Sequence, residues 1–129
     1  MITEDYVSFE TAKLLKEKGF DWDCFQYWHE DDNELVHSQS MHPIQNISNP
    51  CFFGPAAPTL QMVMKWLRKV HHLEIYPFHE ALQESNNWWF RIERHDKSCS
   101  LDEYESELEY NEYEDACEAA IKYCLKNLI

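Results

Sequence analysis

Four residues in the first third of the chain have the right types to hold a metal. Cys24, His29, His37 and His42 form the pattern C-x4-H, then seven residues, then H-x4-H. Zinc takes thiolate and imidazole ligands, and a hairpin can bring two such pairs together. The spacing matches no established zinc signature. Ligands on one strand must also share a face to converge, whereas Cys24 and His29 stand an odd number of positions apart. The reading that follows is a core cysteine with surface histidines, and no metal is expected.

Other reactive side chains fall into structural roles. His71 and His72 close a helical pattern, where a protonated histidine is favoured by the helix dipole. Lys65, Arg68 and Lys69 sit late on the same helix, a place suited to cations and unsuited to a bound anion. Cys117 and Cys124 lie seven apart on one helical face and read as small core hydrophobes. A nucleophile needs a base and an orienting group, and no local motif supplies them. The chain has no P-loop, no G-x-G-x-x-G and no H-E-x-x-H. With two glycines, Gly19 and Gly54, it cannot build a glycine-rich phosphate cradle. Asp31-Asp32-Asn33 lacks the glycine and terminal glutamate of a calcium loop. No catalytic residue and no cofactor are expected.

Acidity is the remaining signal. Lysine and arginine number 11 against 24 aspartates and glutamates, a formal net charge of -13 on 129 residues. Asp102, Glu103, Glu105, Glu107, Glu109, Glu112, Glu114, Asp115 and Glu118 are interleaved with Leu101, Tyr104, Leu108, Tyr110 and Tyr113. Phosphate backbones would be repelled, so direct nucleic-acid binding is not expected. Disorder needs low hydrophobicity as well as charge. Here 44% of residues are hydrophobic and 15% aromatic, so the acids belong to a folded surface. Trp88 and Trp89 occupy opposite faces if they lie on a strand, and exposed aromatics commonly anchor interfaces. The candidate interaction surface is Tyr104, Glu105, Glu107, Glu109, Tyr110 and Trp89.

The elements that position these residues follow from pattern. Ser8 caps a helix running to Lys18 and stopped by Gly19. Residues 24–29 and 35–38 read as the two strands of a hairpin around the turn 31–34. Residues 39–58, with Pro43, Pro50, Pro55, Pro58 and Gly54, read as a long loop pinned by Ile44, Phe52 and Phe53. Residues 59–71 form an amphipathic helix with Leu60, Val63, Met64, Leu67 and Val70 as its core stripe and with Met62 and Trp66 widening the apolar face. A strand over 73–76 is ended, or placed at an edge, by Pro77. Residues 88–94 are a stronger strand.

Residues 101–110 alternate like a strand, although Leu101, Tyr104 and Leu108 also fit a helix and Ser100 with Glu103 makes a capping box. The strand is favoured, because Asn111 and Glu114 form a second capping box opening a helix to about Asn127. Tyr113, Cys117, Ala120, Ile121, Cys124 and Leu128 are the buried stripe of that helix. The expected fold is one α+β domain over residues 1–129. It carries a mainly antiparallel sheet of about four to five strands packed with three helices, in the order α-β-β-α-β-β-(β)-α.

Several segments carry a resemblance. They are Tyr6-Val7-Ser8-Phe9-Glu10, Gly19-Phe20-Asp21, Ala57-Pro58-Thr59-Leu60-Gln61 leading into Lys65-Trp66-Leu67-Arg68-Lys69-Val70-His71, and Tyr113-Glu114-Asp115-Ala116-Cys117-Glu118-Ala119-Ala120 leading to Leu128-Ile129. Together the chain resembles a group of small proteins of no established function from gut Bacteroidetes and their phages. The resemblance spans most of the chain and rests on caps, core faces and a tryptophan. It implies a bacterial or phage cytoplasmic protein, often carried on mobile DNA, and brings no activity, cofactor or catalytic residue. Residues 96–110 depart from the group's pattern by being more acidic.

The segment from Met1 to Phe20 has no apolar core of a secretory signal, and no apolar run is long enough to span a membrane. Five scattered cysteines, an odd number, make no disulfide framework. The sequon Asn46-Ile47-Ser48 has no meaning in a cytoplasmic protein. The expectation is a non-enzymatic acidic interaction module whose protein partner is basic. A phage or mobile-element protein that occupies a basic host surface is one form of it. The alternative is a small-molecule sensor or enzyme with a pocket lined by Trp28, Trp66 and Trp88. Self-association is a third reading and would make the melting temperature depend on concentration.

Overall fold

The structure, a computed structural model, describes residues 5–37, 54–80, 87–95 and 103–129. It is an α+β arrangement of helices with two antiparallel sheets. Among the described residues no sheet reaches the four to five strands expected, and the strands fall into a pair and a triplet. The chain divides into two compact units, Met1–Thr59 and Leu60–Ile129.

In the first unit, helix α1 spans Phe9–Glu17. Ser8 caps it as expected. Its hydroxyl accepts from the Thr11 N–H at 3.2 Å. The helix ends because Gly19 takes a left-handed φ of 88°, which a side chain would disfavour. The Phe20 N–H then reaches back to the Leu15 carbonyl and the Gly19 N–H to that of Lys16. Phe20 and Leu15 are both fully buried.

Strands β1, Gln26–His29, and β2, Glu34–His37, form a hairpin with Trp28 opposite Leu35 and His29 opposite Glu34. Asn33, at φ 52°, closes its turn, a conformation asparagine tolerates well. Of the loop expected over 39–58, residues 54–58 are not free: all five are buried. The Trp28 N–H donates to Pro55 O and the Ala57 N–H to Gln26 O, both at 2.9 Å, so this segment runs beside β1. Gly54 is required there, since an added Cβ would land on the Trp28 carbonyl. The Trp28 indole N–H donates to Val7 O at 2.9 Å. The remainder of that loop, with Ile44, Phe52, Phe53 and the sequon, lies outside the described residues.

In the second unit, helix α2 spans Leu60–His71 and buries Leu60, Val63, Met64, Trp66 and Leu67. Val70, expected in that stripe, is 48% exposed. The buried side turns instead toward Trp66 and His71, whose rings meet edge to face at 4.7 Å.

Strand β3, Leu73–Glu80, runs straight through Pro77. It can do so because it is an edge strand, where the missing N–H faces no neighbour. Strand β4, Asn87–Arg94, is central, and β5, Glu103–Glu105, is the other edge. Helix α3 spans Tyr113–Tyr123 and continues as a π-helical turn over Cys124–Leu128. The Arg94 guanidinium donates to the Leu128 carbonyl at 2.8 Å. That places a cation at the negative end of the helix.

The expected capping box of Asn111 and Glu114 does not form. The N-cap is Glu112, whose side chain makes no capping hydrogen bond. Ala116, Cys117, Ala120, Ile121, Cys124 and Leu125 are the buried stripe of this last helix. It differs from the expected stripe at its ends, where Tyr113 and Leu128 are only half-buried.

Candidate functional site

The two faces of the three-stranded sheet are chemically distinct, and β4 defines both. Register places Ile75 opposite Ile92 and His79 opposite Trp88 on one face. On the other it pairs Glu74 with Glu93, Tyr76 with Arg91 and Phe78 with Trp89. The first face is the core side: Leu73, Ile75, Phe90 and Ile92 are buried, and Trp88 meets Tyr113 of α3 at 5.3 Å. The second face carries Trp89 and Phe78, half-buried, with Tyr76 more open. Arg91 crosses this face, its guanidinium 5.2 Å from the Tyr76 ring centroid and 3.2 Å from a Glu93 oxygen. Glu105, opposite Arg91, extends the acidic margin of the same face.

The acidic segment is not one continuous strand. Glu105 pairs with Arg91, and Ser106 follows in step, its N–H donating to Phe90 O at 2.9 Å. The Ser106 hydroxyl accepts the Phe90 N–H at 3.1 Å, so both backbone groups of Phe90 end on a single buried serine. Pairing resumes only at Tyr110, which exchanges two hydrogen bonds with Trp88 at 2.7 and 2.8 Å. Residues 107–109 therefore all stand opposite Trp89. This bulge pushes Glu107, Leu108 and Glu109 outward. Leu108 is 68% exposed. The bulge also blunts the open edge of the sheet, where unpaired backbone groups would otherwise invite another strand.

The sequence-predicted surface residues separate accordingly. Glu105, Glu107 and Glu109 are exposed. Glu109 accepts a hydrogen bond from the Asn87 amide. Tyr104 and Tyr110 turn the other way. Tyr104 stacks on Tyr123 at 3.7 Å with 11° between the rings, and Tyr110 lies 6.0 Å from Phe90. Burial raises the Tyr104 hydroxyl pKa, with Tyr123 and Glu107 adding to the effect. Both tyrosines brace the sheet against its own core, and the outward set reduces to the glutamates with Trp89.

The three metal candidates among the described residues, Cys24, His29 and His37, form no ligand cluster. Within the hairpin His29 lies at the turn and His37 at the far end. They are three strand steps apart, about 10 Å along the strand axis. His29 Nδ1 is 3.5 Å from Asp32, and His37 packs against Tyr6. Cys24 is buried, its thiol pushed up to about 12 by desolvation first and Asp23 second. His42 lies outside the described residues. No cluster of three or more potential ligands occurs among the described residues.

His71 departs from the protonated cap expected of it. Burial, then Arg94 and His72, lower its pKa, and its Nε2 is buried without a hydrogen-bond partner among the described residues. A neutral ring packed on Trp66 follows. His72, at φ 57°, ends the helix, and its carbonyl accepts from the His95 N–H. Arg68 pairs with Glu74 at 3.7 Å, while Lys65 and Lys69 are exposed, which makes this basic set a solvated face. Burial pushes the thiols of Cys117 and Cys124 up to about 11 and about 12. That keeps them protonated and poor nucleophiles.

Two of the three tryptophans expected to line a pocket, Trp66 and Trp88, belong to the second unit. Trp66 is 2% exposed, and Trp28 belongs to the first unit. Trp88 lines an open cleft of about 600 Å³ with His79, Asn111, Glu112, Tyr113 and Glu114. Sequence reasoning singled out Trp88 and Tyr113 but not their meeting, because the pairing that joins their segments is long-range and the bulge hides its register. No helix among the described residues is long and apolar enough to cross a membrane. No protein-family model, no curated protein and no solved structure matches the chain.

Proposed function

We propose that the protein is a non-enzymatic interaction module that docks a basic protein surface. The docking surface is the outer face of the three-stranded sheet, with Trp89 and Phe78 as apolar anchors and Glu93, Glu105 and Glu107 as the acidic margin. The observation that carries the proposal is the bulge opposite Trp89, which sets three outward residues, two of them glutamates, beside a half-buried tryptophan. Charge on such a margin steers encounter and selects partners, while the aromatic anchor supplies most of the affinity. The net charge of -13 extends the same field over the whole molecule. The resemblance to proteins of gut Bacteroidetes and their phages supports a cytoplasmic accessory role on a host surface.

The test is affinity capture from the encoding cell at low and moderate salt, with wild type beside a Glu105→Gln, Glu107→Gln double variant. These two positions leave the Asn87–Glu109 bond intact. A basic protein captured at low salt, weakened by salt and weakened again by the double variant, is the expected result. Capture of the same proteins by wild type and variant at both salts would dismiss the docking face.

A further inference from the structure

The cleft beside Trp88 has a chemistry of its own. It opens on the core side of the sheet, the side opposite Trp89, and is independent of the docking face above. Three rings wall it. Trp88 meets Tyr113 at 5.3 Å with 82° between the planes, and His79 lies 5.2 Å from Trp88 at 56°. This is an aromatic corner rather than a flat stack. The corner is held from behind: Trp88 is fixed by its two backbone bonds to Tyr110, and the Tyr113 hydroxyl accepts from the Gln61 amide at 2.9 Å. Burial raises the Tyr113 pKa, against the Gln61 bond, so the ring stays a neutral phenol.

The polar rim is acidic. Glu112 and Glu114 line the cleft, and neither is in an ion pair among the described residues. Acids at the first turn of a helix are expected from its dipole alone. The carboxylates therefore carry nothing by themselves, and the aromatic corner is what gives them a ligand. Ring faces attract a cation through their quadrupole, most strongly at tryptophan, and alkyl groups on the cation gain apolar contact with the same rings. The helix end opposes this with about half a positive charge, which two full carboxylates outweigh. A phosphate or carboxylate ligand would meet both glutamates.

We propose that the Trp88–Tyr113 cleft binds an alkylammonium group. The test is a titration of the full chain with tetramethylammonium chloride, followed at the indole and ring signals of Trp88 and Tyr113 by NMR. Sodium chloride at equal ionic strength and tert-butanol, a neutral analogue of similar shape, are the controls. Saturable shifts at both rings are expected with tetramethylammonium only. Trp88→Ala should weaken binding at least 10-fold, and a Glu112→Gln, Glu114→Gln double variant about 5-fold. Should Trp88→Ala fail to fold, the glutamine variant decides. A lysine-containing tripeptide with blocked ends separates the sources of the group: tighter binding than tetramethylammonium identifies a partner's side chain, and weaker binding a free small cation. Equal shifts with tert-butanol, no saturation, or unchanged affinity in the glutamine variant would overturn the proposal.

Discussion

Gly19 illustrates how one residue fixes an element. Its φ of 88° lets the chain turn so that the Phe20 N–H reaches the Leu15 carbonyl at the end of α1, and the space around its Cα is open. Gly19→Ala therefore meets no clash and costs only the left-handed backbone, about 1 kcal/mol. Denaturant unfolding should show the midpoint falling with an unchanged slope. The buried thiols make a second statement at this scale. Cys24, Cys117 and Cys124 have native pKa values raised to about 12, 11 and 12 above the ordinary 9.0. Below pH 9 both native and unfolded thiols are protonated, so nothing is lost. Above it the unfolded chain releases protons that the native chain retains. Stability should fall from about pH 9 to 11, by up to about 1.4 kcal/mol per pH unit for each thiol. Mass-mapped thiol labelling at pH 8 should find these three unreactive until denaturant is added.

At the scale of elements, Ser106 holds the bulge together. Replacing it with alanine leaves the buried Phe90 N–H unpaired while keeping the backbone bond to Phe90 O. Ser106→Ala should cost about 1–3 kcal/mol, read by thermal unfolding, where an exposed serine would cost almost nothing. The bulge is also where the sequence can be read only partly. Helices α1 and α2 and the hairpin are legible, because caps, a glycine stop and apolar spacing are local signals. The strand character of 103–105 is legible from alternation. Yet residues 103–110 alternate acid with non-acid without a break, so the period of two continues across a segment whose pairing does not. Register depends on what lies opposite, and β4 is remote in sequence. The Asn111 cap fails for a related reason: pairing of Tyr110 with Trp88 fixes the entry to α3 and passes the cap position to Glu112. The same remoteness hides the cleft, whose walls come from β3, β4 and α3.

For the whole molecule, charge is the dominant fact. A net charge of -13 is self-repelling. Salt confines that repulsion to about 10 Å at roughly 0.1 M. The melting temperature should rise between low and moderate salt; a flat profile would mean that the acids are too dispersed to form a dense face. Docking at the outer sheet face, with Trp89 beside the bulge as its anchor, is the sharper proposal. Its most direct test is the salt dependence of the dissociation constant for a captured partner, measured for wild type, Trp89→Ala and the Glu105→Gln, Glu107→Gln variant. The expected result is roughly 30-fold weaker binding for Trp89→Ala, as for an interface anchor worth about 2 kcal/mol, and a shallower salt slope for the glutamine variant. Wild-type affinity and slope in both variants would rule out docking at this face.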